Sequence, residues 1–440
     1  MKQFTVEKLI SDGYSFARDE NGKVVLLTEG LPGETVEAVK LKGKESVEFW
    51  KTVRVVQSSP DRKIKGCKGF PDCGGCDWGG LQYSNQLLWK KRIVQEQFRR
   101  VGKFYELPDF EMIPSKKTNH YRNRMEYVAY QKGKKIGFGM YKRFSNEVVD
   151  VEDCDLGYEG FGKVRRTFEE ILSRFGVKPY NRESKRGFLK HLVLRGNRNG
   201  DIVALLITKR ESFPEIDKIS REVKEQLPEV TSLVHVFNSR DDVVLRGPYR
   251  VIYGEGIITE TLGDAVFQVP PVSFFQANVF VMEELLKYVQ QELNPSPSET
   301  FLDLYSGIGT FAFYFARMFK KVVAVEGIKI SSRAMLSNAR INMISNLEAV
   351  NMDTRDFLEK NEEKFDKVIL DPPRAGIGKD IELIGKALPK RIVYISCNPT
   401  TLARDSRYLS NKGFSLKALR AFDMFPDTHH VEVVAIFNRV

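Results

Sequence analysis

The sequence predicts a multidomain chain of α/β and β type. It should comprise a small N-terminal β-barrel, a central α/β domain with a cysteine cluster, and a C-terminal parallel sheet covered by helices. Three observations carry this. The 440 residues exceed what one hydrophobic core organises. Residues 1 to 57 hold short β-type runs punctuated by Gly13, Gly22, Gly30 and Gly33. From about residue 300, apolar strands alternate with amphipathic helices. The divisions are placed at residues 1–57, 58–260 and 261–440.

In the first region "KVVLLTEG", "ETVEAVKL" and "WKTVRVVQ" suit the strands of a small, OB-like barrel. In the second, "HLVLRG", "DIVALLIT" and "TSLVHVFN" predict an antiparallel platform, with a helix from about Lys163 to Phe175. A basic helix over Leu87–Val101 is expected to pack elsewhere than its place in the sequence suggests. "NPSPSE", Asn294 to Glu299, reads as a loop. In the third region four strands ("TFLDLYS", "KVVAVEG", "DKVILDPP", "RIVYISC") each lead to a helix, the third of them "IELIGKAL". "FSLKALRAF" and "HVEVVAIFN" follow with no helix between them, which predicts an antiparallel hairpin at the sheet edge.

The composition, 42% hydrophobic and 29% charged, is that of an ordinary soluble protein. No apolar run approaches the roughly 18 residues of a membrane span, and "MKQFTVEKLISDGYSF" lacks an apolar signal core. The expectation is a cytoplasmic protein without a membrane partner. The formal charge of +11 favours a polyanion, although "KKRIVQEQFRRVGK" also fits the solvated face of a helix.

Five cysteines in such a chain argue against a disulfide framework. "CKGFPDCGGC" spaces Cys67, Cys73 and Cys76 as C-x5-C-x2-C on flexible glycines, and Cys154 in "VEDCDLG" could close the shell. Four thiolates suit tetrahedral zinc or an iron-sulfur cluster. The single close pair leans toward iron-sulfur, and unliganded buried thiols are the bland alternative.

Ligands of a parallel α/β sheet collect at the carboxyl ends of its strands. "DLYSGIGTF" puts Asp303 at one such end, with Gly307 and Gly309 where backbone must approach a ligand. Glu326 ends the next strand, 17 residues beyond Gly309, placed to accept from ribose hydroxyls. Ala312 stands at the third fingerprint position, but bulky Phe311 suits a phosphate cradle poorly, which favours S-adenosylmethionine over NAD. In "LDPPRAG" two prolines stop the strand and hold Asp371 at the rim, where it could accept from a base N–H. Cys397 in "YISCNPTTLARD" sits between a strand end and a helix start, a position whose dipole favours thiolate, while a buried inert thiol is the common alternative. "DMFPDTHHVEVV" adds Asp423, His429, His430 and Glu432, a costly group of polar residues unless a site uses them.

Together "SFFQAN", "DLYSGIGTF", "LDPPRAG", "SCNPTTLARD" and "DMFPDTHHVE", preceded by the cysteine motif, resemble the RNA (uracil-5-)-methyltransferase family over nearly the whole chain. "GYSFARDENGKVVLLTEGLPGE" is similar to a TRAM domain, an RNA-binding barrel. Barrel and cysteines together resemble the 23S rRNA branch more than the shorter tRNA enzymes, though some tRNA-modifying members share both. The resemblance implies a Rossmann-like methyltransferase sheet, with Cys397 as nucleophile toward uracil C6 and Glu432 as the base that removes the C5 proton. It implies methyl-donor contacts from Gln276, Tyr305, Glu326 and Asp371, with Asp353 a further candidate and Asp371 also able to touch the target base. It favours a 4Fe-4S cluster on Cys67, Cys73, Cys76 and Cys154, structural or concerned with RNA docking. Orienting Glu432 is one job open to His430. Ser306 and Thr310 receive no role. No protein partner is implied, and a monomer is expected. A tRNA enzyme, an RNA N-methyltransferase, which would need no nucleophilic cysteine, and a non-catalytic RNA-binding protein are the alternatives.

Overall fold

The computed structural model describes residues 1–43, 46–240, 244–387 and 389–440. Its largest sheet is C-terminal, with strands in the order Leu347–Val350, Lys321–Val325, Thr300–Leu304, Lys367–Leu370, Arg391–Ser396, Glu432–Arg439, Phe414–Phe422 and Met112–Ile113. The first five run parallel, while Glu432–Arg439 lies antiparallel to both its neighbours, giving the expected hairpin. Side chains alternate between two cores. Val322 and Ala324 enter one with Phe301 and Ile369; Val323 and Val325 enter the other with Leu302 and Tyr394. Burial on both faces explains why these strands read as continuous apolar runs.

Two strands of this sheet are not evident from the sequence. Leu347–Val350 is a short, half-exposed edge. Met112–Ile113 has only two residues and joins the far side of the hairpin in parallel. It arrives there because the basic helix, observed over Tyr83–Gln97 and extended by a π-turn through Gly102, packs on the C-terminal core with Val94 and Phe98. The helix expected over 381–388 is helical at Ile381–Ile384 and turns to 3-10 geometry at Gly385–Ala387; Leu388 lies outside the described residues.

The central sheet has seven strands: Val148–Val149, Lys135–Tyr141, Arg124–Lys132, Leu189–Gly196, Ile202–Thr208, Val230–Phe237 and Tyr249–Tyr253. The antiparallel expectation holds for every pair except Ile202–Thr208 with Val230–Phe237, which is parallel. The reason is an unanticipated helix, Ile216–Gln226, which buries Ile216, Ile219 and Val223 and serves as the crossover a parallel pair requires. Helix Phe161–Arg174 covers the same face.

The described residues between Lys2 and Gln57 form a six-stranded sheet curled around Phe4, Val6, Val25, Leu27, Val36 and Trp50, with strand Lys2–Thr5 brought round against Ser15–Arg18. It is tied to the rest of the chain by Lys8 with Glu96 (2.7 Å) and by Arg143, which donates to the carbonyls of Gly13 and Thr28. Among the described residues, no helix is long and apolar enough to cross a membrane.

Candidate active site

The turn after strand Thr300–Leu304 is built from left-handed residues, Tyr305 (φ 61°), Gly307 (58°) and Gly309 (94°). Gly309 is required twice over, since a Cβ there would lie 2.4 Å from the Phe313 ring. Asp303, fully buried, accepts from the Ala312 amide (2.9 Å) through one oxygen while the other has no partner. Burial, reinforced by the charges of Asp371 and Glu326, pushes its carboxyl well above the usual range. Glu326 accepts from Gly307 N at 2.9 Å and Ile328 N at 2.6 Å, so one carboxylate joins the loops that leave two adjacent strands. Burial raises its pKa as well.

A cavity of about 1470 Å³ opens above these strand ends, and Gln276, Tyr305, Glu326, Asp371, Cys397 and Glu432 all line it. Asp353 lines it too, but its Oδ1 already caps helix Thr354–Lys360 by accepting from Arg355 N (2.9 Å). Burial raises the Tyr305 hydroxyl to about 12.

Strand pairing sets the far end of the cavity. Ser396 lies opposite Val433 in an antiparallel ladder, so one further residue of register sets Cys397 across from Glu432 on the same face. Asn398 then caps helix Pro399–Asn411 by accepting from Thr400 N (3.1 Å), and its amide donates to the Arg374 carbonyl (3.0 Å). The surroundings of Cys397 oppose the thiolate expected from this helix start. Burial pushes the Cys397 thiol up to about 12, and the neighbouring Glu432 raises it further than Arg374 lowers it. Desolvation of the charged form outweighs a terminal dipole here. Glu432 is only 6% exposed, and burial together with Asp371 drives its carboxyl well up. Burial raises Asp371 likewise, so the two carboxyls disfavour simultaneous ionisation.

The polar residues of "DMFPDTHHVE" divide into separate tasks. Asp423 is completely buried in an ion pair with Lys90 (2.5 Å), and Lys90 also donates to the Phe425 carbonyl (3.0 Å). Asp427 accepts from Lys63 (3.0 Å), Lys65 (2.5 Å) and Gln86 (2.8 Å). The His429 ring bonds Asp77 at 2.5 Å. His430 accepts at Nδ1 from Arg374 (3.3 Å), and burial, then the His429 charge, lower it to about 3, so it is neutral. Arg374, Asp77 and Arg143 also line the cavity and were missed from the sequence. Arg374 could have been found inside "LDPPRAG", and Asp77 directly follows Cys76.

Cys67, Cys73, Cys76 and Cys154 line one small cavity beside the larger one, and none is in a disulfide. Burial, then the neighbouring Cys154 and Cys67, push Cys73 up to about 11, and burial raises Cys76 too. Among the described residues no group of three or more is set to hold a metal ion.

Residues 82–440 match the family described as tRNA (Uracil-5-)-methyltransferase. A Thermotoga maritima protein described as an uncharacterized RNA methyltransferase is 39% identical over 434 residues, 98% of each chain. A Halalkalibacterium halodurans protein of the same description is 32% identical and covers 99% of this chain and 96% of its own. The crystal structure of Pyrococcus abyssi tRNA (uracil-54, C5)-methyltransferase in complex with S-adenosyl-L-homocysteine aligns with a TM-score of 0.78 at 26% identity, over 99% of this chain and 100% of that one. The chain is an RNA methyltransferase and belongs to the tRNA (uracil-5-)-methyltransferase family.

Proposed function

We propose that the protein methylates uracil C5 in RNA, with S-adenosylmethionine as donor, through a covalent adduct at Cys397. One observation carries this reading: strand register sets Cys397 opposite Glu432 in the cavity that Tyr305 and Glu326 also line. The bound donor supplies an electrophilic methyl group. Glu326 has each oxygen committed to one backbone N–H, which leaves lone pairs for ribose hydroxyls. Gln276, Tyr305 and Asp371 complete the donor wall, and Asp371 also reaches the base.

Uracil C5 is too weak a nucleophile to take the methyl unaided. As the Cys397 Sγ–C6 bond forms, the thiol proton leaves to water in the open cavity and the ring pair becomes an enolate. The enolate C5 takes the methyl group. Glu432 then removes the C5 proton, the C5–C6 double bond re-forms, and the S–C6 pair returns to Cys397.

Residues 1–57 act as a TRAM-like RNA-binding unit, 58–260 as a central unit with the cysteine cluster, and 261–440 as the methyltransferase unit; the protein works as a cytoplasmic monomer. Cys67, Cys73, Cys76 and Cys154 hold a 4Fe-4S cluster. A single ion needs sulfurs at roughly 2.3 Å from one point, whereas a cubane interposes iron and sulfide and suits four free thiols spread round a shared cavity. The chemistry calls on it for no electron transfer.

The curled N-terminal sheet together with the four cysteines favours 23S rRNA as substrate. A second reading, tRNA, is favoured by full-length likeness to the Pyrococcus abyssi enzyme. Total RNA from a strain lacking the gene, incubated with enzyme and labelled donor, distinguishes them. Label in 5-methyluridine from 23S rRNA supports the first reading and from tRNA the second, whereas label in an N-methylated nucleoside contradicts the chemistry.

A further inference from the structure

The loop that delivers Glu432 leaves strand Phe414–Phe422 and re-enters the sheet at Glu432 itself, so the sheet does not hold its middle. Side chains from other segments do, among them Tyr121, which donates to the Pro426 carbonyl (3.0 Å), and Asn278, which donates to the Met424 carbonyl (3.1 Å). Lys90 fixes it at Asp423, and Lys63, Lys65 and Gln86 fix it at Asp427, where Trp78 N also donates to the Asp427 carbonyl (2.9 Å). Nearer Glu432 stand Arg374, on the His430 ring, and Asp77, on His429. Asp77 Oδ1 accepts from the His429 backbone N at 3.3 Å and its Oδ2 from the His429 ring at 2.5 Å. A carboxylate only accepts, so Nδ1 of His429 carries the hydrogen and one side chain fixes both the main chain and the imidazole.

Asp77 and His429 both line the cavity that holds Cys397 and Glu432. The His429 ring lies 4.0 Å from that of His430, which accepts from Arg374, and the charge of Arg374 acts on Cys397. A turn of the N-terminal region packs against the pair at Gly13. A Cβ on Gly13 would lie 2.4 Å from Asp77 Oδ2 and 2.7 Å from His429 Nδ1, and Gly13 has φ +75°. Arg143, 3.9 Å from Asp77, holds Gly13 by its carbonyl.

From this geometry we infer that Asp77 is a positioning residue for removal of the C5 proton: through His429 it fixes the three-residue approach to Glu432. The inference rests on the reading of Glu432 as the base. It also gives the cysteine loop a task, because Asp77 follows Cys76 directly and that loop therefore sets one wall of the catalytic loop. Losing Asp77 leaves the anchors at Asp423 and Asp427 in place, so the fold should persist while the approach to Glu432 loosens.

Two full-length variants test this independently. Asp77→Asn keeps the shape but can accept from only one of the two His429 N–H groups, its amide NH2 facing the other. Gly13→Ala keeps Asp77 and wedges a methyl group into the pair. Each should lower turnover by about 10²-fold, the cost of a misplacement near 1 Å, with donor affinity unchanged. Each should also accumulate a covalent adduct on ordinary RNA, because addition by Cys397 continues while elimination is slowed. Glu432→Gln is run alongside. If it traps adduct and the two variants resolve theirs at the wild-type rate, the positioning role is overturned and the mechanism stands. If Glu432→Gln traps nothing, the assignment of the base falls and this inference with it. Equal losses of donor binding and of adduct formation in both variants would show a general folding defect and overturn the inference.

Discussion

Cys397 and Glu432, which line one cavity, stood out in the sequence because a cysteine at a strand-to-helix junction and a dense polar motif are unusual. Their partners were not. Lys90, Asp77 and Arg374 reach the motif from distant segments, and tertiary packing alone brings them there. The state of the thiol was hidden for a related reason: sequence displays a helix start but not the desolvation around it. That difference is measurable. A thiol pushed up to about 12 stays protonated below that pH, so its thiolate fraction grows tenfold per pH unit. Alkylation of Cys397 by iodoacetamide, followed at that peptide by mass spectrometry, should rise steadily through pH 10. A plateau between pH 6 and 8 would mean that an activated thiolate rests in the free enzyme.

At the scale of elements, the strand-helix alternation beyond residue 300 was readable because strands buried on both faces leave continuous apolar runs. Strand Met112–Ile113 and the crossover Ile216–Gln226 were hidden, one by its length and the other by its mean polarity. Helix Tyr83–Gln97 is a strut for the loop that leads to Glu432 through the fully buried Lys90–Asp423 pair. Breaking one side of such a pair strands a charge, so Lys90→Met should cost about 3–5 kcal/mol in denaturant unfolding. Lys90→Met with Asp423→Leu should recover most of that loss; no recovery would show that packing, not charge, carries it. The cysteine loop makes a further prediction. Protein purified anaerobically should carry about four irons per chain, and stoichiometric zinc in their place would refute the cluster.

Across the whole molecule, the curled N-terminal sheet packs against the cavity wall at Gly13 and presents lysines outward. Lys42 lies over the Phe49 ring at 5.1 Å, a pairing suited to a phosphate backbone beside a base. Replacing Lys42 and Lys51 with alanine should weaken RNA binding and reduce its salt slope by roughly 0.7–0.9 for each phosphate left unneutralised. Donor binding should be unchanged, and an unaltered salt slope would remove this face from the RNA path.

The covalent step is central to the proposed chemistry, and RNA transcribed with 5-fluorouridine tests it most directly. Fluorine cannot leave C5 as a cation, so the reaction should stop after methyl transfer with the enzyme bound to methylated RNA through Cys397. The expected result is a denaturation-resistant adduct with that mass, and neither adduct nor product from Cys397→Ala, which should still bind S-adenosylmethionine. Substantial methylation of ordinary RNA by Cys397→Ala would contradict the covalent mechanism.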